Sequence, residues 1–277
     1  MSRLLSPSRA ELFAAALFVA AINAVALRIG TMIADEGWLA SAVELFGVTA
    51  VVWFGLYALV RLGLDAPRGN RPRRIDWFIC AAALLLSLMP AQPPPKLAMV
   101  GLGLWLLVTG RDRDERAVAI VGLALTGALL WGPLLMQVLG KDMLGFDAAI
   151  AAFMSGNTAL GNLVVTPGPA PDMLILPGCS ALKNVASVFV IAAALSQLEG
   201  MASNRTLALA CVLGVVAVIA VNSLRLALIA TLPQHYTWLH SGSGATLFSY
   251  ANMLVALAIV GTAIVWDRKH GDRRRAV

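Results

Sequence analysis

The chain has 277 residues, of which 59% are hydrophobic and only 13% charged, and its mean hydropathy is +0.81. A soluble domain carries roughly a quarter of charged residues, so composition excludes an ordinary water-soluble globule. The formal charge of +6 is gathered in loops and at the C-terminus, which is a topology signal in a membrane protein and not the folded basic face a nucleic-acid partner requires.

Apolar runs recur along the whole chain and predict an all-α, polytopic transmembrane helical bundle in a single integral membrane domain, 1–277. Eight spans are expected, at about 11–33, 38–61, 76–91, 96–110, 117–139, 179–198, 206–232 and 246–266. Ser2–Glu11 is polar, and the run after it is long and lacks a small-residue cleavage site, so no cleavable signal peptide is expected. The third and fourth spans are short and separated by Pro90-Ala91-Gln92-Pro93-Pro94-Pro95.

Loop charges orient this bundle. Arg3 and Arg9 mark the N-terminus as cytoplasmic. Arg61, Arg68, Arg71, Arg73 and Arg74 mark the second loop, and Arg111, Arg113 and Arg116 the fourth. Arg268, Lys269, Arg273, Arg274 and Arg275 mark the C-terminal tail. The opposite loops are poor in Lys and Arg, which gives an N-in, C-in arrangement. The longest loop, 140–178, then forms an extracytoplasmic cap. Within it, Asp142–Met154 has the apolar spacing of a helix lying along the interface.

The three cysteines suggest no disulfide framework, and no metal-binding spacing or phosphate loop occurs, so no cofactor is expected. Cys80 and Cys211 lie inside apolar runs and read as small hydrophobes. Cys179, in Pro177-Gly178-Cys179-Ser180, follows a proline-rich loop and is placed at the outer end of the sixth span. A helix N-terminus stabilises negative charge, and Lys183 stands four residues on, one turn away on the same face.

Arg225 is buried in the apolar run Leu207–Leu232, about two turns below the outer end of the seventh span. A guanidinium inside a span costs roughly 2.5–3.5 kcal/mol on insertion scales and so should face a partner or a wet cavity. Asn222, one turn before it, is placed to hydrogen-bond the same group. His240 lies in the outer loop, followed by Ser241-Gly242-Ser243-Gly244, where glycine permits close approach to another helix. His235, in the same loop, reads as interfacial, and His270 belongs to the cytoplasmic tail. Charge counting thus brings Cys179, Arg225 and His240 to one face: a nucleophile, a charge stabiliser and a proton carrier.

Gly178-Cys179-Ser180-Ala181-Leu182-Lys183, Asn222-Ser223-Leu224-Arg225-Leu226 and His240-Ser241-Gly242-Ser243-Gly244 resemble the three signature blocks of the exosortase/archaeosortase family. Those blocks read approximately Cys-Ser-Gly-x-Arg, Asn-x-x-Arg-Ile and His-Asp-x-x-Gly. The resemblance covers about 172–260, the expected catalytic part, and departs from the pattern at Ala181, Lys183, Leu226 and Ser241, the last standing where the family has aspartate. It therefore suggests a divergent bacterial subfamily.

The resemblance implies a membrane cysteine protease or transpeptidase with Cys179 as nucleophile, Arg225 as stabiliser and His240 as general acid/base. Ser180, Lys183, Asn222 and Gly244 are supporting residues. Its partners would be membrane lipids and the C-terminal transmembrane sorting signals (PEP-CTERM-like) of exported proteins, at the outer face of the inner membrane. The alternative is a non-enzymatic polytopic membrane protein, a transporter or an export assembly factor. In that reading Arg225 lines a solute path, and Arg28 and Glu44 belong to the path or pair with each other.

Overall fold

The computed structural model describes residues 7–66, 70–89, 91–167, 171–201 and 204–275, with side chains as far as residue 270. Of the loop charges and prolines, Arg3, Arg68, Pro90 and Pro169 lie outside the described residues, as do the side chains of Arg273, Arg274 and Arg275. The fold is all-α apart from one small sheet, and it divides into two compact units, 1–130 with 190–202 and 131–189 with 203–277.

The first unit contains α1 (Arg9–Glu36), α2 (Trp38–Val43), α3 (Ala50–Asp65), α4 (Arg74–Ser87), α5 (Pro93–Thr109) and α6 (Arg113–Thr126). Ser8 caps α1 by accepting from the Glu11 amide at 3.1 Å, as an N-terminal serine with glutamate three residues on should. Apolar side chains gain little from contact with each other when lipid is equally apolar, so helices here associate through close approach at small residues. A Cβ on Gly63 would stand 2.6 Å from that of Ala14, and one on Gly122 would stand 2.8 Å from Leu17 Cδ1. The unit also buries a charged cluster. Arg9 bonds Asp76 through two 2.9 Å contacts and Glu115 at 2.7 Å, and Trp105 donates to Asp76 at 3.1 Å. Arg9 is therefore a neutralised internal group, not a free loop charge.

The second unit contains α7 (Gly132–Ser155), strands β1 (Thr158–Leu160), β2 (Leu163–Val165) and β3 (Met173–Leu174), and then α8 (Leu182–Leu198). The unit boundary falls within α8. It continues with α9 (Arg205–Thr231), the short α10 (Tyr236–His240) and α11 (Ser243–Arg275). The strands form an antiparallel sheet in the order β1-β2-β3. α9 and α11 pack together across the short connection that carries α10, so they run antiparallel.

Among the described residues, four helices are long and apolar enough to cross a membrane: Arg9–Glu36, Arg113–Ser155, Arg205–Thr231 and Ser243–His270. The expectation of eight spans is corrected accordingly, while the reading as a multi-pass membrane protein stands. The expected span 38–61 is broken because Leu45, Phe46 and Gly47 adopt φ of 53°, 56° and 67°, values a right-handed helix cannot contain. That leaves α2 and a 16-residue α3. The expected spans 76–91, 96–110 and 179–198 fall on helices of 14, 17 and 17 residues. Seventeen residues reach about 25 Å at 1.5 Å each, short of the ~30 Å hydrocarbon layer.

The cap expectation is corrected as well. Residues 140–155 continue a single helix of 43 residues instead of forming a separate interfacial helix. The helix passes through π turns at Gly127–Trp131, just before Pro133, whose missing N–H removes one helical bond and makes a local change of pitch inexpensive.

Candidate active site

Cys179, Asn222, Arg225 and His240 all belong to the second unit. Cys179 ends a 3₁₀ turn, Pro177–Cys179, held by its own N–H donating to Leu176 O at 2.9 Å. Ser180 is extended, and α8 begins only at Leu182. The nucleophile candidate thus precedes the helix rather than starting it. Lys183 is exposed on the first turn of α8, and the helical four-residue relation between Cys179 and Lys183 expected from spacing does not hold, because Ser180 interrupts the helical path.

Cys179 is 9% exposed and lies in an apolar cluster with Leu144, Ala148, Leu226, Ile229 and Leu239. Into this cluster His240 points one ring nitrogen: Nε2 stands 3.6 Å from Cys179 Sγ. That is hydrogen-bond range for sulfur and the contact a thiol and its proton acceptor require. His240 closes α10, and its ring stacks on that of Tyr236, one turn earlier, at 5.0 Å and 9° between planes. Ser241 takes no part: its hydroxyl donates to Thr237 O at 3.3 Å. The stacking partner of His240 is thus Tyr236, while Ser241, where the resembled blocks have aspartate, bonds its own helix instead.

Gly244 packs under α10. A Cβ there would meet the Trp238 ring at 2.6 Å, so glycine permits close approach between the start of α11 and the turn carrying His240. His235 is exposed, and His270 stacks on Trp266 in the tail.

Two long helices hold the cysteine turn from below. Asn222 of α9, 2% exposed, donates from Nδ2 to Cys179 O at 3.0 Å, so its N–H is spent on the Cys179 backbone and not on Arg225. Arg225, one turn further along α9, lies within electrostatic reach of Cys179. Its Nε is buried without a hydrogen-bond partner, an orphan donor that calls for an explanation. From α7, Asp147 accepts from the Ala181 amide at 3.4 Å. Asp147 is 3% exposed. Spacing alone marked Asp142–Met154 as an apolar stripe and passed over this carboxylate. The available signal was an acidic residue at position i+4 from Met143 and i−4 from Ala151, on the side of the helix that the apolar stripe buries.

The arrangement supplies a sulfur nucleophile, an imidazole to take its proton and a guanidinium with a free donor. Among the described residues no group of His, Cys, Asp or Glu is placed to hold a metal ion. Cys80 is buried in α4 of the first unit, and Cys211 is half-buried in α9. Arg28 and Glu44 are both exposed and form no ion pair with each other. Comparison of the chain with protein-family models, with curated proteins and with solved structures gave no match in any of the three.

Proposed function

We propose that the chain is a membrane cysteine peptidase or transpeptidase of the exosortase type, cleaving C-terminal sorting signals of exported proteins at the outer face of the bacterial inner membrane. The observation that carries this reading is the 3.6 Å approach of His240 Nε2 to Cys179 Sγ inside an apolar cluster. His240 takes the thiol proton, and the Cys179 sulfur attacks the scissile carbonyl. Negative charge develops on the carbonyl oxygen, and the unpartnered Arg225 Nε is available to stabilise it. The tetrahedral intermediate collapses to an acyl-thioester as His240 gives its proton to the departing amine. Water or an acceptor nucleophile, deprotonated by His240, then attacks the thioester and releases the thiol.

Charge supports the orientation. Arg205 starts α9, and Arg268 and Lys269 lie near the end of the antiparallel α11, so one end of this pair is basic while Cys179 and His240 lie toward the other. The positive-inside rule puts the basic end in the cytoplasm. A substrate consisting of a short recognition motif, an apolar helix and a basic tail would match this polarity.

The test is co-expression with an exported protein carrying such a signal. Immunoblotting should show it shortened by the wild type and full length with Cys179→Ala at equal membrane abundance. Full processing by Cys179→Ala overturns the proposal.

A further inference from the structure

Asp147 is a buried carboxylate that the chemistry above does not use. An ionisable group 3% exposed among Leu144, Ala148 and Ala151 carries a large desolvation cost, and no salt bridge compensates it among the described residues. It accepts instead from the N–H of Ala181, two residues after Cys179. Asn222 meets the same turn from α9, at Cys179 O. The turn is thus gripped by polar groups of two different long helices, immediately before α8 takes over the chain.

We infer that Asp147 is a positioning residue, which holds the Ser180–Ala181 backbone so that Cys179 Sγ faces His240. The inference rests on the cysteine–histidine reading. Asp147 touches neither the sulfur nor a substrate; it acts through the turn. A carboxyl at this place serves geometry, because an apolar side chain of similar size would pack the cluster at no desolvation cost.

The experiment uses the full-length protein in detergent and follows alkylation of Cys179 by iodoacetamide at neutral pH, read by peptide mass spectrometry, beside the melting temperature. Asp147→Leu is expected to keep the wild-type melting temperature within a few degrees while alkylation slows about tenfold. Asp147→Asn, which retains an acceptor, is expected to recover to within about threefold of wild type. The double variant with His240→Ala should be no slower than His240→Ala alone, because both act on one contact. Alkylation of Asp147→Leu at the wild-type rate, or a further additive loss in the double variant, overturns the inference.

Should Asp147→Leu not fold, Asp147→Ala removes the same contact: about tenfold slower alkylation supports the inference, and an unchanged rate overturns it. If His240→Ala alone leaves alkylation unchanged, the cysteine–histidine reading fails, and the inference that rests on it falls too. If His240→Ala slows alkylation but Asp147→Leu does not, only the inference fails.

Discussion

His240 and Tyr236 form a stacked pair one helical turn apart, with ring planes 9° from parallel and centroids 5.0 Å apart, and this pair aims His240 Nε2 at Cys179. Stacked aromatic pairs contribute about 0.5–1.5 kcal/mol, which corresponds to roughly twofold to tenfold in rate. Tyr236→Leu should slow processing by that factor, and Tyr236→Phe, which keeps the ring, should stay close to wild type. Single-turnover cleavage of the substrate protein measures both. Equal losses in the two variants would show that the hydroxyl matters and the stack does not.

His240→Ala removes the proton carrier but leaves the turn of Cys179 in place. General acid–base contributions run to about 10²–10⁴, so cleavage should fall into that range, with protein abundance unchanged on an immunoblot. Loss of membrane-inserted protein in step with activity would point to a structural role for the ring.

Arg225→Ala should separate activity from stability. The Nε of Arg225 has no partner to lose, so the variant should melt within a few degrees of wild type. Losing one preorganised oxyanion donor costs about 10²–10³ in rate. Arg225→Lys keeps the charge and loses the planar fork, so it should recover only part of the rate. Full rescue by lysine would mean that charge alone suffices.

Gly244→Val tests the packing beneath α10. Its Cβ would collide with the Trp238 ring at 2.6 Å, pushing the turn that ends in His240. Alkylation of Cys179 should slow while α9 and α11 remain folded, as circular dichroism would report. An unchanged alkylation rate would show that α10 shifts without moving the imidazole.

Arg9→Met probes the first unit. It strands Asp76 and Glu115, both buried, without their common partner. Removing one member of a buried ion cluster costs about 3–5 kcal/mol, so the detergent-solubilised variant should aggregate at a clearly lower temperature. Replacing all three groups with apolar residues should recover most of that loss. A variant as stable as wild type after the single change would mean that water reaches the cluster.

Composition by itself determined the solvent of this protein. Twenty-residue apolar runs have no other economical fate: α1 and α9 lie within a few residues of the runs at 11–33 and 206–232, and α11 contains the run at 246–266 and continues to Arg275. The candidate residues Cys179, Arg225 and His240 were also legible, because each is a reactive group in or beside an apolar segment. Span number was not legible. Hydropathy measures how apolar a run is, not whether the backbone stays helical, and the left-handed residues Leu45, Phe46 and Gly47 break a run that averages as continuous. The same measure missed that α6 and α7 join into one helix running on through the expected cap.

Tertiary structure alone decided which atoms meet. Asp147 lies 32 positions before Cys179, and Asn222 and His240 lie 43 and 61 positions after it. Their meeting depends on how α7, α9 and α10 pack, a property of the folded chain that no local pattern encodes. The partner of the Asn222 amide, the tether from Asp147 to the Ala181 amide, and the Tyr236 ring stacked on His240 all emerge there. Long-range contacts are set by the packing of whole helices, whereas periodicity and charge act within a few turns.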